Sequence, residues 1–225
     1  MYEKIVSIIY NSIVGGLSGF TSNPNISRDQ IEEEVVIERQ NLIKKYIAND
    51  LLPRRDLLIP INCIQVDCMS LDKCDCIKGL ESPPVGHFEI PQLINDFGYE
   101  SLEYVGSSDK RNPFKIYYSF RGLELNKYRK SKKKRPFVFV DTTPNRNSMY
   151  DCFIFDAPFI KQLSVIGIFK DVRQLENYGC CSFINEDDAV DPLGYLNKEI
   201  ISNVTAKYLT WYKAPGITPN DQKPK

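Results

Sequence analysis

Residues 51–76 read LLPRRDLLIPINCIQVDCMSLDKCDC, and the reading of this stretch decides the fold. A helical pattern runs into it and stops at Pro53, whose ring cannot continue a helix. After Asp56 the period changes. Ile61 and Cys63 fall on one side of an extended chain, and Ile64 and Val66 on the other. That pattern predicts a strand buried on both faces. Pro60 places the start of the strand proper after it. Four of the chain's seven cysteines, Cys63, Cys68, Cys74 and Cys76, lie in the same stretch. A helical part therefore gives way to a strand-rich part here, and the chain reads as α+β.

Upstream, Ile5, Ile8, Ile9, Ile13 and Leu17 recur at helical spacing and predict one amphipathic face. Glu3 precedes Lys4 and no basic leader region is present, so this segment reads as a helix and not as a signal peptide. The next helix announces its start. Ser27 and Gln30 have the spacing of a capping box, and Ile26 and Ile31 that of a hydrophobic staple. Asp29, Glu32 and Glu33 in its first turns and Lys44 and Lys45 in its last suit the helix dipole. The pattern predicts a helix over residues 28–49, with Ile31, Val35, Leu42, Ile43, Tyr46 and Ile47 on its apolar side.

Downstream, residues 70–86 read as a loop closed by Pro83, Pro84 and Gly86. Residues 87–94 read as a short extended piece, and short strands are expected at 101–106, 114–120, 136–144 and 149–158, with residues 107–113 as a hairpin loop. Residues 162–169 fit a strand or a short helix. The last helix is expected to have Asp191 as its cap and Pro192 at its first position. Its stripe is Leu193, Leu196, Ile200, Val204, Tyr208 and Trp211. The expected organisation is N-terminal helices in 1–52, a β-rich lobe with the cysteine loop in 53–190, a C-terminal helix in 191–213 and a flexible tail in 214–225. The terminal helices pack together, and the central lobe is antiparallel.

Length and composition fit a globular chain: 225 residues, 42% hydrophobic and 26% charged. With 29 basic and 29 acidic residues the formal charge is zero, so bulk charge singles out no nucleic-acid or membrane partner. No apolar run approaches the roughly 18 residues of a membrane span. The cysteines are expected to be reduced thiols.

The charges are unevenly placed. Five acids fall in residues 29–38, and seven basic residues in 127–135: Lys127, Arg129, Lys130, Lys132, Lys133, Lys134 and Arg135. The basic run lies between two expected strands and reads as the tip of a hairpin. It is either a solvated loop or a contact for phosphates or an acidic protein surface.

Four thiolates could hold zinc, but the x4, x5 and x1 spacings of Cys63, Cys68, Cys74 and Cys76 are not those of paired knuckles. Cys63 fits equally as a small core residue in an apolar strand. Asp67, Asp72 and Asp75 read as loop acids. Cys180 and Cys181 are adjacent and read as incidental thiols. The only histidine, His87, falls in an expected loop beside Gly86 and Phe88. No phosphate-binding or dinucleotide-binding glycine motif is present. The expectation is a chain with no catalytic residues, no metal ligands and no cofactor. Its alternative is a small zinc-dependent nucleic-acid-binding protein that uses the cysteines and the basic run together.

The segments NISRDQIEEEVVIERQNLIKKYIANDLLPRRDLLIPINCIQVDC (residues 25–68) and DKCDC (residues 72–76) resemble virion structural proteins of crAss-like bacteriophages, which infect gut Bacteroidales. The region around Tyr128, Arg129 and Pro136 fits as well, and the likeness covers most of residues 1–212. The plan of terminal helices about a β lobe is also similar to tail tubular and adaptor proteins of short-tailed phages. The resemblance implies a non-enzymatic ring subunit beneath the portal, in the neck or tail, through which genomic DNA passes. It implies a homo-oligomer, a dodecamer as in phage connectors, with the portal and other tail or ring proteins as partners and no membrane. The implied location is the virion, with the host cytoplasm during assembly.

Overall fold

A computed structural model describes residues 2–17, 26–49, 51, 54–68, 85–94, 101–119, 121–122, 135–157, 160–175 and 196–213. The chain is α+β. It divides into two compact units, Met1–Pro53 with Leu193–Lys225, and Arg54–Pro192.

The first unit holds α1 (Tyr2–Leu17), α2 (Arg28–Ala48) and α3 (Asn197–Lys213), each packed against the other two. The start of α2 follows from its cap. Ser27 Oγ accepts from the Gln30 N–H at 3.1 Å, and Gln30 Oε1 accepts from the Ser27 N–H at 3.2 Å. The reciprocal pair satisfies two otherwise orphaned donors. Along α2, Glu34 meets Lys207, Glu38 meets Asn203, and Tyr46 meets Glu199. Rising numbers on α2 face falling numbers on α3, so the two helices are antiparallel. Asp191, Pro192 and Leu193 lie outside the described residues, and the described helix begins at Asn197.

Four side chains depart from the expected stripes. Val6 is buried and Ile8 is 41% exposed, because Ile8 points well away from the arc shared by Ile5, Ile9 and Ile13. Trp211 keeps the angular phase of its stripe but is 48% exposed. The antiparallel pairing sets it beside the first turn of α2, where the bundle ends. Its ring is partly covered by the Lys207 ammonium, 4.9 Å from the ring centroid. Arg39 occupies the middle of the buried arc of α2, where the apolar pattern leaves no sign of a charge.

The second unit begins with a 3-10 turn at Arg54–Leu57 and contains eight strands among its described residues: β1 (Ile59–Gln65), β2 (Asp67–Cys68), β3 (Gly86–Pro91), β4 (Leu102–Ser107), β5 (Lys115–Tyr117), β6 (Phe137–Asp141), β7 (Met149–Phe155) and β8 (Gln162–Gly167). They form a three-stranded sheet ordered β1-β8-β4 and a five-stranded sheet ordered β2-β3-β7-β6-β5. Residues 162–167 are thus a strand. The chain passes from one sheet to the other four times, between β1 and β2, β3 and β4, β4 and β5, and β7 and β8. Between β1 and β2, the Val66 N–H donates to the Lys161 carbonyl at 2.9 Å. Beyond β3, Leu93 bridges Phe169, and Gly106 near the end of β4 bridges Pro113. Gly106 is required at its bend, because a Cβ there would lie 2.3 Å from the Asn112 carbonyl oxygen.

The strand at 61–67 is corrected in two ways. It starts at Ile59 and includes Pro60, which is tolerated because β1 is an edge strand. It is also buried on one side only. Cys63 takes a left-handed conformation (φ 59°), and the register with β8 shifts between Ile61 and Ile64. The extra residue of this bulge changes the phase, so Ile59, Ile61 and Ile64 are all buried.

The hairpin role of the basic run is corrected too. β5 and β6 pair in parallel, with Lys115 opposite Phe137, so residues 118–136 are a crossover connection. Residues 107–113 do make a tight turn, with the Lys110 N–H donating to the Ser107 carbonyl at 2.9 Å. The strand that follows joins the other sheet.

Candidate functional site

Strand register sets out one face of the five-stranded sheet, on which Phe139, Phe153 and Phe155 are buried. His87, Phe153, Phe139 and Tyr117 form one row across β3, β7, β6 and β5, and Glu89, Asp151 and Asp141 form the next. Residues directly opposite share a face. His87 is therefore a strand residue and not a loop residue, which corrects its expected setting. The reason is that Gly86 continues into β3, backed by Val66: a Cβ on Gly86 would lie 2.5 Å from the Val66 side chain.

The Asp151 carboxylate accepts from His87 Nε2 at 2.9 Å, and the imidazole lies 5.3 Å from the Phe153 ring, centroid to centroid. Asn145 Nδ2 donates to Glu89 at 2.9 Å and to Asp151 at 3.3 Å. The Asn145 side chain is fixed by its own turn, where its Oδ1 accepts from the N–H groups of Asn147 and Met149, each at 3.0 Å. An asparagine that closes a turn in this way is a local device of the TPNRN sequence. The row thus holds a half-buried histidine in one orientation. The cross-strand neighbours of His87 and Asp151 are Asp67, Phe153, Glu89 and Asp141, none of which carries a hydroxyl or thiol nucleophile. Cys152 alternates to the other face and is fully buried. Burial pushes its thiol well up, and the nearby carboxylates of Asp151, Asp141 and Glu89 add to the effect. It stays protonated and serves as packing.

Sequence reading missed this constellation. His87 and Asp151 are 64 residues apart, and the pairing of β3 with β7 has no turn signal between them. Alternation alone marks His87, Glu89 and Asp151 as outward residues, without saying that they share a row.

Of the expected basic site, Arg135 is exposed just before β6. Lys127, Arg129, Lys130, Lys132, Lys133 and Lys134 lie outside the described residues. Of the cysteines, Cys63 is half-buried at the bulge and Cys68 ends β2, while Cys74, Cys76, Cys180 and Cys181 lie outside the described residues, as do Asp72 and Asp75. Among the described residues, no group of three or more His, Cys, Asp or Glu side chains is placed to hold a metal ion. No described helix is long and apolar enough to cross a membrane. The tail at 214–225 also lies outside the described residues.

The other charged surface is helical. On α2, Asp29, Glu33, Ile37 and Asn41 are exposed and spaced four apart, so they form one stripe along the side away from the buried arc. Glu34 and Glu38 turn instead toward α3, where Lys207 and Asn203 meet them. No protein-family model matches the chain, and no curated protein matches it.

Proposed function

We propose that this chain is a structural subunit of a phage virion. It forms a closed ring in the neck or tail, and genomic DNA passes through the ring. The observation that carries the reading is the division of one chain into two dissimilar bodies, a helical unit made from both chain ends and a strand unit made from the middle. A ring closes by repeating one head-to-tail contact, and each subunit must then present two different surfaces. The likeness of residues 25–68 and 72–76 to virion proteins of crAss-like phages supplies the setting, with the portal and other tail or ring proteins as partners. The role requires no catalytic residue, metal or cofactor.

The test combines mass measurement of the purified protein with electron microscopy and protein identification on virions. A ring of repeated subunits at the portal end, containing this chain, is the expected result. A protein absent from virions, or monomeric at every concentration and salt, sinks the reading.

A further inference from the structure

The five-stranded sheet carries a cationic surface at its β5 edge, assembled from three separate stretches of chain. Lys115 lies in the edge strand β5 and is exposed. Arg135 is exposed just before β6, and the Lys115 N–H donates to the carbonyl of the next residue, Pro136, at 3.1 Å. Arg121, also exposed, comes from a turn beyond β5, where the Gly122 N–H donates to the Ser119 carbonyl at 3.0 Å. That turn rests on β5, because a Cβ on Gly122 would lie 3.1 Å from the Tyr117 ring. The three cations thus gather around Tyr117, which has the Lys115 ammonium 4.7 Å from its ring centroid and packs edge-on against Phe137. None of the three has a carboxylate partner among the described residues, whereas Lys45, Arg111, Arg173 and Lys207 all do. The carboxylates of the same sheet face, Glu89, Asp151 and Asp141, lie four residues farther along the strands. That is roughly 13 Å, beyond the screening length of about 8 Å in physiological salt. Asp156 falls across from Pro136 by the same register and pairs with none of the three, so the edge keeps a positive excess.

From this arrangement we infer that the β5 edge is a contact surface for the phosphate backbone of duplex DNA. The inference rests on the ring reading and adds to it which side of the subunit lines the passage. Unpaired cations held on separate segments around one strand complement a polyanion with regularly spaced charges. Each phosphate they neutralise releases condensed counterions, which drives binding. An arginine offers a phosphate two parallel N–H donors, and a lysine offers a point charge. Contacts of this kind carry no sequence information, so the surface takes any duplex alike.

Fluorescence anisotropy of the full-length protein on short DNA duplexes of mixed sequence, over a range of salt, tests this. Lys115→Gln with Arg121→Gln and Arg135→Gln should reduce the steepness of log affinity against log salt by about 2 to 3, because each phosphate contact contributes roughly 0.9. The loss should be the same for every duplex sequence. Lys115→Arg with Arg121→Lys and Arg135→Lys keeps the charges and should keep the steepness, which separates loss of charge from damage to the fold. If the triple Gln variant does not fold by circular dichroism, Arg121→Gln alone replaces it and should remove roughly 0.9. Unchanged steepness in the folded Gln variant, or no binding of the unaltered protein to the duplexes at low salt, overturns the inference and leaves the ring reading standing. Normal DNA binding by the Gln variant with weakened ring assembly in mass photometry overturns it in favour of contact with an acidic protein surface. Reduced steepness in a protein that stays monomeric at every concentration supports the DNA surface and removes the ring reading.

Discussion

Cys63 is where a single residue departs most from its sequence pattern. Its left-handed backbone, φ 59°, costs an L-residue roughly 1–2 kcal/mol and costs glycine almost nothing. A β-branched side chain is worst placed there. Cys63→Val is therefore expected to be less stable than Cys63→Gly by about 1–2 kcal/mol in chemical denaturation. Equal midpoints for the two variants would show that the bulge does not depend on this conformation. The residue was legible in the sequence as a cysteine in a strand. Its bulge was not, because the alternation of Ile61, Cys63, Ile64 and Val66 is equally satisfied by a regular strand with two buried faces. Arg39 was hidden in the same way: a charged residue among apolar ones reads as solvent-facing until the arc it lies on is known to be closed by α1 and α3.

At the scale of elements, helices were more legible than strand pairings, and the reason is locality. The capping box of α2 is complete within four residues, from Ser27 to Gln30. The parallel pairing of β5 with β6 joins segments separated by the whole basic connection, and no local turn chemistry specifies it. The His87 and Asp151 row depends on that kind of long-range register. Contacts between α2 and α3 are likewise distant in sequence, and one of them yields a pH prediction. The Glu199 carboxylate accepts from the Tyr46 hydroxyl at 2.7 Å and from the Lys45 ammonium at 3.4 Å. The Tyr46 hydrogen bond first, and Lys45 second, hold its carboxyl below the usual carboxylate range. A carboxyl depressed in the folded state stabilises above its unfolded pKa, and that contribution is lost as the pH falls through the folded value. Glu199→Gln should therefore lower the thermal midpoint at neutral pH and converge with the unaltered protein in acid. An offset between the two that is the same at every pH would rule this out.

For the whole molecule, the decisive feature is that the helical unit is discontinuous. α1 and α2 come from the start of the chain, and α3 comes from beyond residue 196. Its core needs all three: Ile9, Ile13 and Leu17 from α1, Ile31, Val35 and Ile43 from α2, Ile200 and Val204 from α3, and Leu196 just before α3 are all essentially inaccessible to solvent. Isolated helices of this length are marginal in water, and most of their stability comes from burying an amphipathic face against neighbours. Two helices without the third leave an apolar trough open, at about 25 cal/mol for every Å² of apolar surface returned to water. The strand unit, residues 54–192, has its own ladders and its own buried residues, among them Phe88, Ile90, Val138 and Val165. A chain ending at residue 192 should thus lose amide-exchange protection throughout Tyr2–Leu17 and Arg28–Ala48. It should keep protection in Gly86–Pro91, Phe137–Asp141 and Met149–Phe155. Hydrogen exchange read by mass spectrometry on the two proteins separates the cases. Protection of both N-terminal helices that survives the truncation would mean that they hold together without α3. Collapse of protection in the strands as well would mean that the two units fold as one cooperative body. The expected pattern, loss in the helices with retention in the strands, follows from chain topology: the first helices made must wait for the last segment of the chain before their shared core can close.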